Sequence, residues 1–116
     1  MANINNYGYE KLRSFILSNW TYLELRTPTG TVLKRFGVAD GLTITGNATT
    51  PTIEYKIVVK GTDATFMNQT VGKSVLYDVA TSGTAIATEN FTGFTFAEEA
   101  DELTFIHTLE VPQQVI

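Results

Sequence analysis

Apolar residues at every second position constrain the fold of this chain more than any other feature. Between residues 53 and 60 every second side chain is apolar: Ile53, Tyr55, Ile57 and Val59. Successive side chains of a β-strand point to opposite faces, so these four would line a core while their neighbours face water. The pattern predicts a strand with one buried face.

Similar alternation runs through most of the chain and predicts a mainly β fold. Turn sequences separate the segments. Residues 27–30, with a proline and a glycine, would join the first two strands into a hairpin, and residues 81–84 would join a later antiparallel pair. Residues 66–71 could be a loop or a short irregular strand, and Phe94 and Phe96 alternate again. The strands are predicted at residues 20–26, 31–36, 42–45, 53–60, 74–80, 85–91 and 103–111.

About seven or eight short strands joined by turns predict an antiparallel β-sandwich or a flattened barrel. The chain has 116 residues and a mass of 12.8 kDa, which suits a single domain. We therefore expect one β-rich domain over residues 1–116, with an N-terminal helix at about 7–19, a β core at about 20–111 and a short C-terminal tail at 112–116.

The helix is predicted from apolar residues at intervals of three and four, after the candidate caps Asn5 and Asn6. This face should pack on the β core, because burial of an apolar face supplies most of a helix's stability. Leu17 widens the face, so contact with a second subunit is the alternative. The residues that define the face are Tyr9, Leu12, Phe15, Ile16 and Trp20.

Charge and cysteine content exclude several classes of function. The formal net charge is -4 and the eight basic residues are scattered, which argues against nucleic acid as a partner. Without cysteine there are no disulfides or thiolate metal sites, so stability must come from packing or from association, and we expect a homo-oligomer. The N-terminus lacks the features of a secretory signal, and no apolar run approaches the ~20 residues that span a bilayer. We expect synthesis in the cytoplasm and no membrane partner.

No catalytic, metal-binding or cofactor motif is present, and we expect a protein that is not an enzyme and needs no cofactor. His107, the only histidine, alternates with Phe105 and Leu109 on an apolar face, and no serine lies in a nucleophile-elbow motif. A hydrogen-bonded core or interface histidine is the favoured interpretation. The acidic run from Glu98 to Glu102 lacks the residue pattern of a calcium loop. We interpret it as a solvated connection, and leave cation binding open.

Aromatic residues are a further candidate for ligand binding. Tyr22, Phe91 and Phe94 lie nearest to predicted strand ends and could stack against a sugar ring. The competing interpretation is that most aromatic residues belong to the core, since they supply much of the buried area in small β domains.

Three segments together resemble small structural proteins of tailed bacteriophages and prophages. These are Leu12 to Arg26, Ile53 to Val59 and Leu103 to Pro112. The resemblance covers most of the chain and lies in the style and order of the segments. It implies a small β domain of the virion that assembles by repeated contacts, and it brings no active-site residues.

The resemblance includes capsid decoration (cement) proteins and neck or tail components. We expect a decoration protein, because an acidic, cysteine-free β module without a DNA-binding patch suits an outer capsid surface. A neck or tail component, or a carbohydrate- or receptor-binding module of a fibre, is the alternative. The partners of such a protein would be other virion proteins, such as the major capsid protein or neck and tail proteins, and its location the virion. We expect contacts through the terminal segments, Met1 to Tyr9 and Pro112 to Ile116, and through apolar helix residues. The candidate contact residues are Ile4, Tyr7, Tyr9, Leu17, Val115 and Ile116.

Overall fold

A computed structural model describes residues 4–111 and confirms the predicted fold class. One N-terminal helix is followed by seven antiparallel strands in two packed sheets, as in a β-sandwich. Helix α1 spans Asn6–Asn19, close to the predicted bounds. The strands are β1 (Tyr22–Arg26), β2 (Val32–Phe36), β3 (Thr43–Thr45), β4 (Thr52–Lys60), β5 (Thr70–Tyr77), β6 (Ala87–Thr95) and β7 (Glu102–Glu110), and a single 3-10 turn, Val38–Asp40, lies between β2 and β3.

The first sheet has four strands in the order β2-β1-β5-β6. Its predicted β1–β2 hairpin is confirmed, with Leu23 opposite Phe36. Gly30 has a φ of 98°, a backbone conformation that suits glycine, at the end of the turn that joins these strands. The predicted antiparallel pair formed by β5 and β6 is confirmed too, and leaves β6 as one free edge of the sheet.

The second sheet has three strands in the order β3-β4-β7. Strands β4 and β7 pair without interruption from Thr52 opposite Glu110 to Lys60 opposite Glu102. The inward residues of β4 are all buried, as the alternation predicts. Strand β7 is a free edge of this sheet and lies beside β6, because Phe91 of β6 packs against Phe105 of β7 with ring centroids 5.7 Å apart.

The core fills the space between the two sheets. At one end it is aromatic: Phe66 packs against both Phe36 and Phe96 with centroid distances of 6.1 and 6.0 Å. Aliphatic residues of β1, β4 and β5 fill the middle. The buried core residues are Ile16, Leu23, Leu25, Phe36, Leu42, Ile53, Tyr55, Ile57, Val59, Phe66, Val71, Leu76, Phe96 and Phe105.

Strands β5 and β6 differ most from the sequence-based prediction, and β5 ends at Tyr77 instead of residue 80. Strand β5 begins at Thr70, four residues before the predicted start, because Gly72 lies inside the strand. A Cβ on Gly72 would come within 2.6 Å of Pro28, so this glycine lets the β1–β2 turn pack over β5. The predicted strand 85–91 and the Phe94–Phe96 segment are largely one strand, β6, whose pairing with β5 shifts register between Val71 and Lys73. This bulge interrupts the alternation.

Tyr55 of β4 links the three-stranded sheet to the end of helix α1. Its hydroxyl donates a hydrogen bond of 2.8 Å to the carbonyl of Trp20, directly after α1. Burial raises the pKa of Tyr55 to about 12, so the hydroxyl keeps its proton at physiological pH. The side chain is fully buried and therefore contributes both packing and a hydrogen bond.

We predict that Ile57→Ala lowers the free energy of unfolding by about 2–5 kcal/mol, because it leaves a cavity in the core. Tyr55→Phe should cost about 1 kcal/mol, since only the hydrogen bond is lost. Lys56→Ala, on the solvent face of the same strand, should stay within about 0.5 kcal/mol of the parent. Denaturant melts measure all three. A Lys56→Ala cost that exceeds the Ile57→Ala cost would contradict the register of β4.

Candidate interaction surface

Helix α1 packs on the β core through a different face from the one that its apolar spacing predicts. Arg13 and Ile16 are the buried residues of the helix. Leu12 and Phe15, which the prediction places in the core, are 43% and 56% exposed. That part of the prediction is wrong. Arg13 lies at the centre of the buried face of the helix, and Leu12 and Phe15 consequently face outward.

Arg13 fixes this orientation through hydrogen bonds to backbone carbonyls. Its Nη1 donates to the carbonyl of Ala48 at 2.7 Å, in the loop before β4. Its Nε donates to the carbonyl of Val111 at 3.3 Å, directly after β7. The side chain has no exposed surface, and an arginine is rarely buried unless its donors are satisfied. Arg13 therefore ties the helix to the end of the three-stranded sheet.

An apolar groove lies between the outward side of α1 and the adjacent ends of β6 and β7. Its volume is about 490 Å³. The helix supplies one wall, and the opposite wall comes from the start of β6 and the end of β7. Almost all of the lining is apolar; the residues are Leu12, Phe15, Ile16, Trp20, Ile86, Ala87, Leu109, Glu110 and Val111.

The described contact residues predicted at the N-terminus differ in exposure, and none of them lines the groove. Tyr7 is 66% exposed and Ile4 is exposed as well. Lys11 Nζ lies 5.1 Å from the centre of the Tyr7 ring, which places a cation beside the apolar residues. Tyr9 is partly buried, and Leu17 is partly buried and packs against the core, so both offer less surface than Ile4 and Tyr7. Met1–Asn3 and the tail 112–116, with Val115 and Ile116, lie outside the described residues.

The three aromatic candidates for ligand stacking do not lie on one surface. Tyr22 shares a face of β1 with Glu24, opposite to the core-facing Leu23. Phe91 packs on Phe105, and Phe94 packs edge-on against Phe96 at a centroid distance of 4.9 Å. The three rings therefore do not form a shared stacking platform. Phe91 and Phe94 pack against the core, which was the competing interpretation.

His107 is buried and hydrogen-bonded, as the sequence predicts. Its Nδ1 lies 2.7 Å from the hydroxyl oxygen of Ser74, which is buried on β5 in the opposite sheet. The same nitrogen is 3.7 Å from Oε2 of Glu89 on β6. Burial lowers the pKa of His107, and the charge of Glu89 partly opposes that shift. Serine, histidine and carboxylate meet here, but both partners face the same ring nitrogen, and the buried hydroxyl is closed to a substrate.

The acidic connection before β7 is organised by Asp101. One carboxylate oxygen of Asp101 accepts hydrogen bonds of 2.9 Å from the backbone N–H groups of Ala97 and Glu98. This stabilises the turn, in agreement with the interpretation of the run as a connection. Among residues 4–111, no three acidic or histidine side chains come together in a group that could hold a metal ion.

A charged network on the outer side of the four-stranded sheet was not predicted. Glu24 is buried, and its two carboxylate oxygens lie 2.7 Å from Arg26 Nε and from Arg35 Nη2. The Arg35 guanidinium also lies 3.5 Å from the centre of the Tyr77 ring and donates to the carbonyl of Val79. These contacts fasten the connection after β5 to the sheet. In the sequence, Glu24 stands between Leu23 and Leu25, both of which are core residues. That position does not indicate which distant residues its carboxylate contacts.

Comparisons with family models, with curated proteins and with solved structures found no significant match to this chain. Within residues 4–111, no helix has the length and the apolar character needed to cross a membrane. The functional interpretation therefore depends on the geometry of the apolar surface and on the resemblance noted in the sequence.

We predict that Arg13→Met lowers the free energy of unfolding by about 2 kcal/mol or more, because it leaves the carbonyls of Ala48 and Val111 without this donor. Lys11→Met, two residues earlier and on the exposed side of the helix, should change it by less than about 0.5 kcal/mol. Thermal and denaturant melts of the two variants provide the comparison. Equal stability of both variants would mean that Arg13 does not hold the helix in place.

Proposed function

We propose that this protein is a non-enzymatic structural protein of a tailed bacteriophage particle, and more specifically a capsid decoration protein. The observation that carries the proposal is the apolar surface of α1, where Leu12 and Phe15 stand exposed beside a groove lined by apolar side chains. Contiguous exposed apolar surface on a small domain is typical of a site of protein contact. The resemblance of three segments to small phage structural proteins supports the same conclusion.

The helix surface has the features of an interface centre. Phe15 and Leu12 supply large apolar side chains, and Trp20 and Leu109 deepen the groove between helix and sheet. Large side chains that enter such a pocket contribute a disproportionate part of the free energy of binding. The arginine that holds α1 in place would make the surface rigid before binding, which lowers the entropic cost of association.

Charge distribution supports a protein partner. All eight lysine and arginine residues lie between Lys11 and Lys73, and none follows. The acidic residues after Lys73 are Asp78, Glu89, Glu98, Glu99, Asp101, Glu102 and Glu110. Strands β6 and β7, the free edges beside the groove, therefore carry acidic side chains but no lysine or arginine, and acidic edges repel nucleic acid. This suits the outer surface of a capsid, and it discourages unwanted pairing of the open strand edges.

A neck or tail component is the second candidate, because the same helix surface would serve for contacts with ring-forming subunits. The two candidates differ in where the protein is found in the particle. Electron cryo-microscopy of particles that contain the protein separates them: density on the capsid lattice supports a decoration protein, and density at the neck or tail supports the alternative.

We predict that the double substitution Leu12→Gln and Phe15→Gln weakens association, with itself or with the particle, at least tenfold, about 1.4 kcal/mol. Glutamine keeps the helix propensity while it removes the apolar surface. Sedimentation analysis and particle occupancy measure the effect.

The matched control is Val58→Thr with Ile106→Thr, which removes two exposed apolar side chains from the outer face of the three-stranded sheet and keeps their β propensity. This control should associate like the parent. A monomer that shows no affinity for capsid, neck or tail proteins, or an equal loss in both double variants, would contradict the proposal.

A further inference from the structure

Two free edge strands, β6 and β7, face each other across the sandwich and are joined by one polar contact. Glu89 lies on the inward side of β6 and His107 on the inward side of β7. Phe91 and Phe105 pack together on one side of this contact. Ala87 and Leu109 line the apolar groove on the other side. An ionisable pair thus lies between an apolar cluster and the groove.

The hydrogen-bonding capacity of this contact is not satisfied. Glu89 Oε2 is buried and has no hydrogen-bond partner among the described residues. His107 Nδ1 is 2.7 Å from the Ser74 hydroxyl but 3.7 Å from that carboxylate oxygen, which is too long for a hydrogen bond. A neutral Nδ1 without a proton can only accept the hydroxyl's hydrogen, and it offers nothing to Glu89. A buried carboxylate oxygen without a donor is unfavourable.

We propose that Glu89 and His107, beside the Ser74 hydroxyl, form a proton-operated latch between the two free edges. When His107 gains a proton, its Nδ1–H becomes a charged donor and draws the Glu89 carboxylate into an ion pair, which joins β6 to β7. When His107 is neutral, the pair opens and Glu89, whose side chain is 43% exposed, turns towards water. The latch does not depend on the proposed function.

Each element around His107 fits this arrangement. From β4, Tyr55 lies opposite His107 in register with its ring edge-on at 6.3 Å, and its hydroxyl is held by Trp20. From β5, Ser74 faces the imidazole, and its neighbour Lys73 points to the other side of the sheet. Tyr55 and Ser74 are uncharged. Glu89, from β6, is therefore the charged group that faces the ring from these three strands.

The inward position of Glu89 gives the latch a consequence for the edge. Among residues 4–111, strand β6 pairs with β5 alone, and an inward charge on such an edge strand hinders pairing with another chain. Pairing with His107 would withdraw this charge from solvent beside the apolar groove. Acidification would therefore change the charge and the exposure of the surface next to the proposed contact site.

The stability consequence has a defined sign. Burial lowers the pKa of His107 below 6.5, and the Coulombic effect of Glu89 opposes this shift. A base whose pKa is lowered by folding binds protons more readily when unfolded, so its contribution to stability is complete above pH 6.5. That contribution is lost as the pH falls from 6.5 through the folded pKa. Removal of Glu89's charge should lower the folded pKa further.

The test is an NMR titration of His107 in the parent, in Glu89→Gln and in Ser74→Ala. We expect the titration midpoint of His107 to move to lower pH in Glu89→Gln. In Ser74→Ala, the carboxyl carbon signal of Glu89 should still shift at the His107 midpoint. In the parent, the carboxyl carbon signal of Glu89 should shift at the His107 midpoint. This second measurement needs no substitution, so it decides the question even if Glu89→Gln does not fold.

Melts across the same pH range provide an independent control. The parent should lose stability below pH 6.5, and His107→Gln, which cannot be protonated there, should lose less. An identical His107 midpoint in the parent and in Glu89→Gln would overturn the latch. A Glu89 carboxyl signal that does not change at the His107 midpoint would overturn it as well.

Discussion

The pairing of β4 with β7 is the interaction on which the rest of the structure depends. The two strands pair without a break from Thr52–Glu110 to Lys60–Glu102, and the inward side chains of β4 are buried under the four-stranded sheet. The chain has no disulfides, so the burial of side chains such as those of β4 between the two sheets must supply most of the stability. This packing also sets the position of the helix, because Tyr55 of β4 hydrogen-bonds the carbonyl that follows α1.

The position of the helix in turn creates the proposed contact surface. Burial of Arg13 against carbonyls at the end of the sandwich leaves Leu12 and Phe15 outside. A chain selected only for the stability of the monomer would gain by placing these two side chains in the core. Their exposure beside an apolar groove is better explained by a partner that covers them. The same end of the sandwich contains the contact between Glu89 and His107 for which we propose a proton-operated latch.

The sequence predicts the parts of the fold that follow a regular period. The alternation in β4 and β7, and the turn residues between β1 and β2, identify those elements because burial on one face and turn chemistry are local properties. The start of β5 was missed because Gly72 resembles a turn residue when the packing of Pro28 over it is not known. The continuity of β6 was missed because its bulge interrupts the alternation. Phe91 and Phe94 were singled out as stacking candidates because they lie near predicted strand ends, and the structure shows both packed against the core, as the competing interpretation has it.

The candidate site was less predictable, because it depends on contacts between distant residues. The face of α1 was assigned from the spacing of its apolar residues alone, so the burial of Arg13 was not predicted. His107 was recognised as buried from its neighbours in β7. Its partner Glu89 could have been found from the alternation of Ala87, Glu89 and Phe91, which places the carboxylate on the inward face. The contact between Glu89 and His107 could not be predicted, because the two residues lie in different sheets and the sequence does not show how the sheets pack.

Hydroxyl-radical footprinting tests the central claim, that the α1 surface is covered in the assembled protein, most directly. Oxidation of Leu12 and Phe15 would be compared between the free chain and the chain within its assembly, with Val58 and Ile106 as internal references on another face. The account predicts strong protection of the two helix residues and unchanged oxidation of the references. Protection confined to Val58 and Ile106, with Leu12 and Phe15 oxidised as in the free chain, would contradict it.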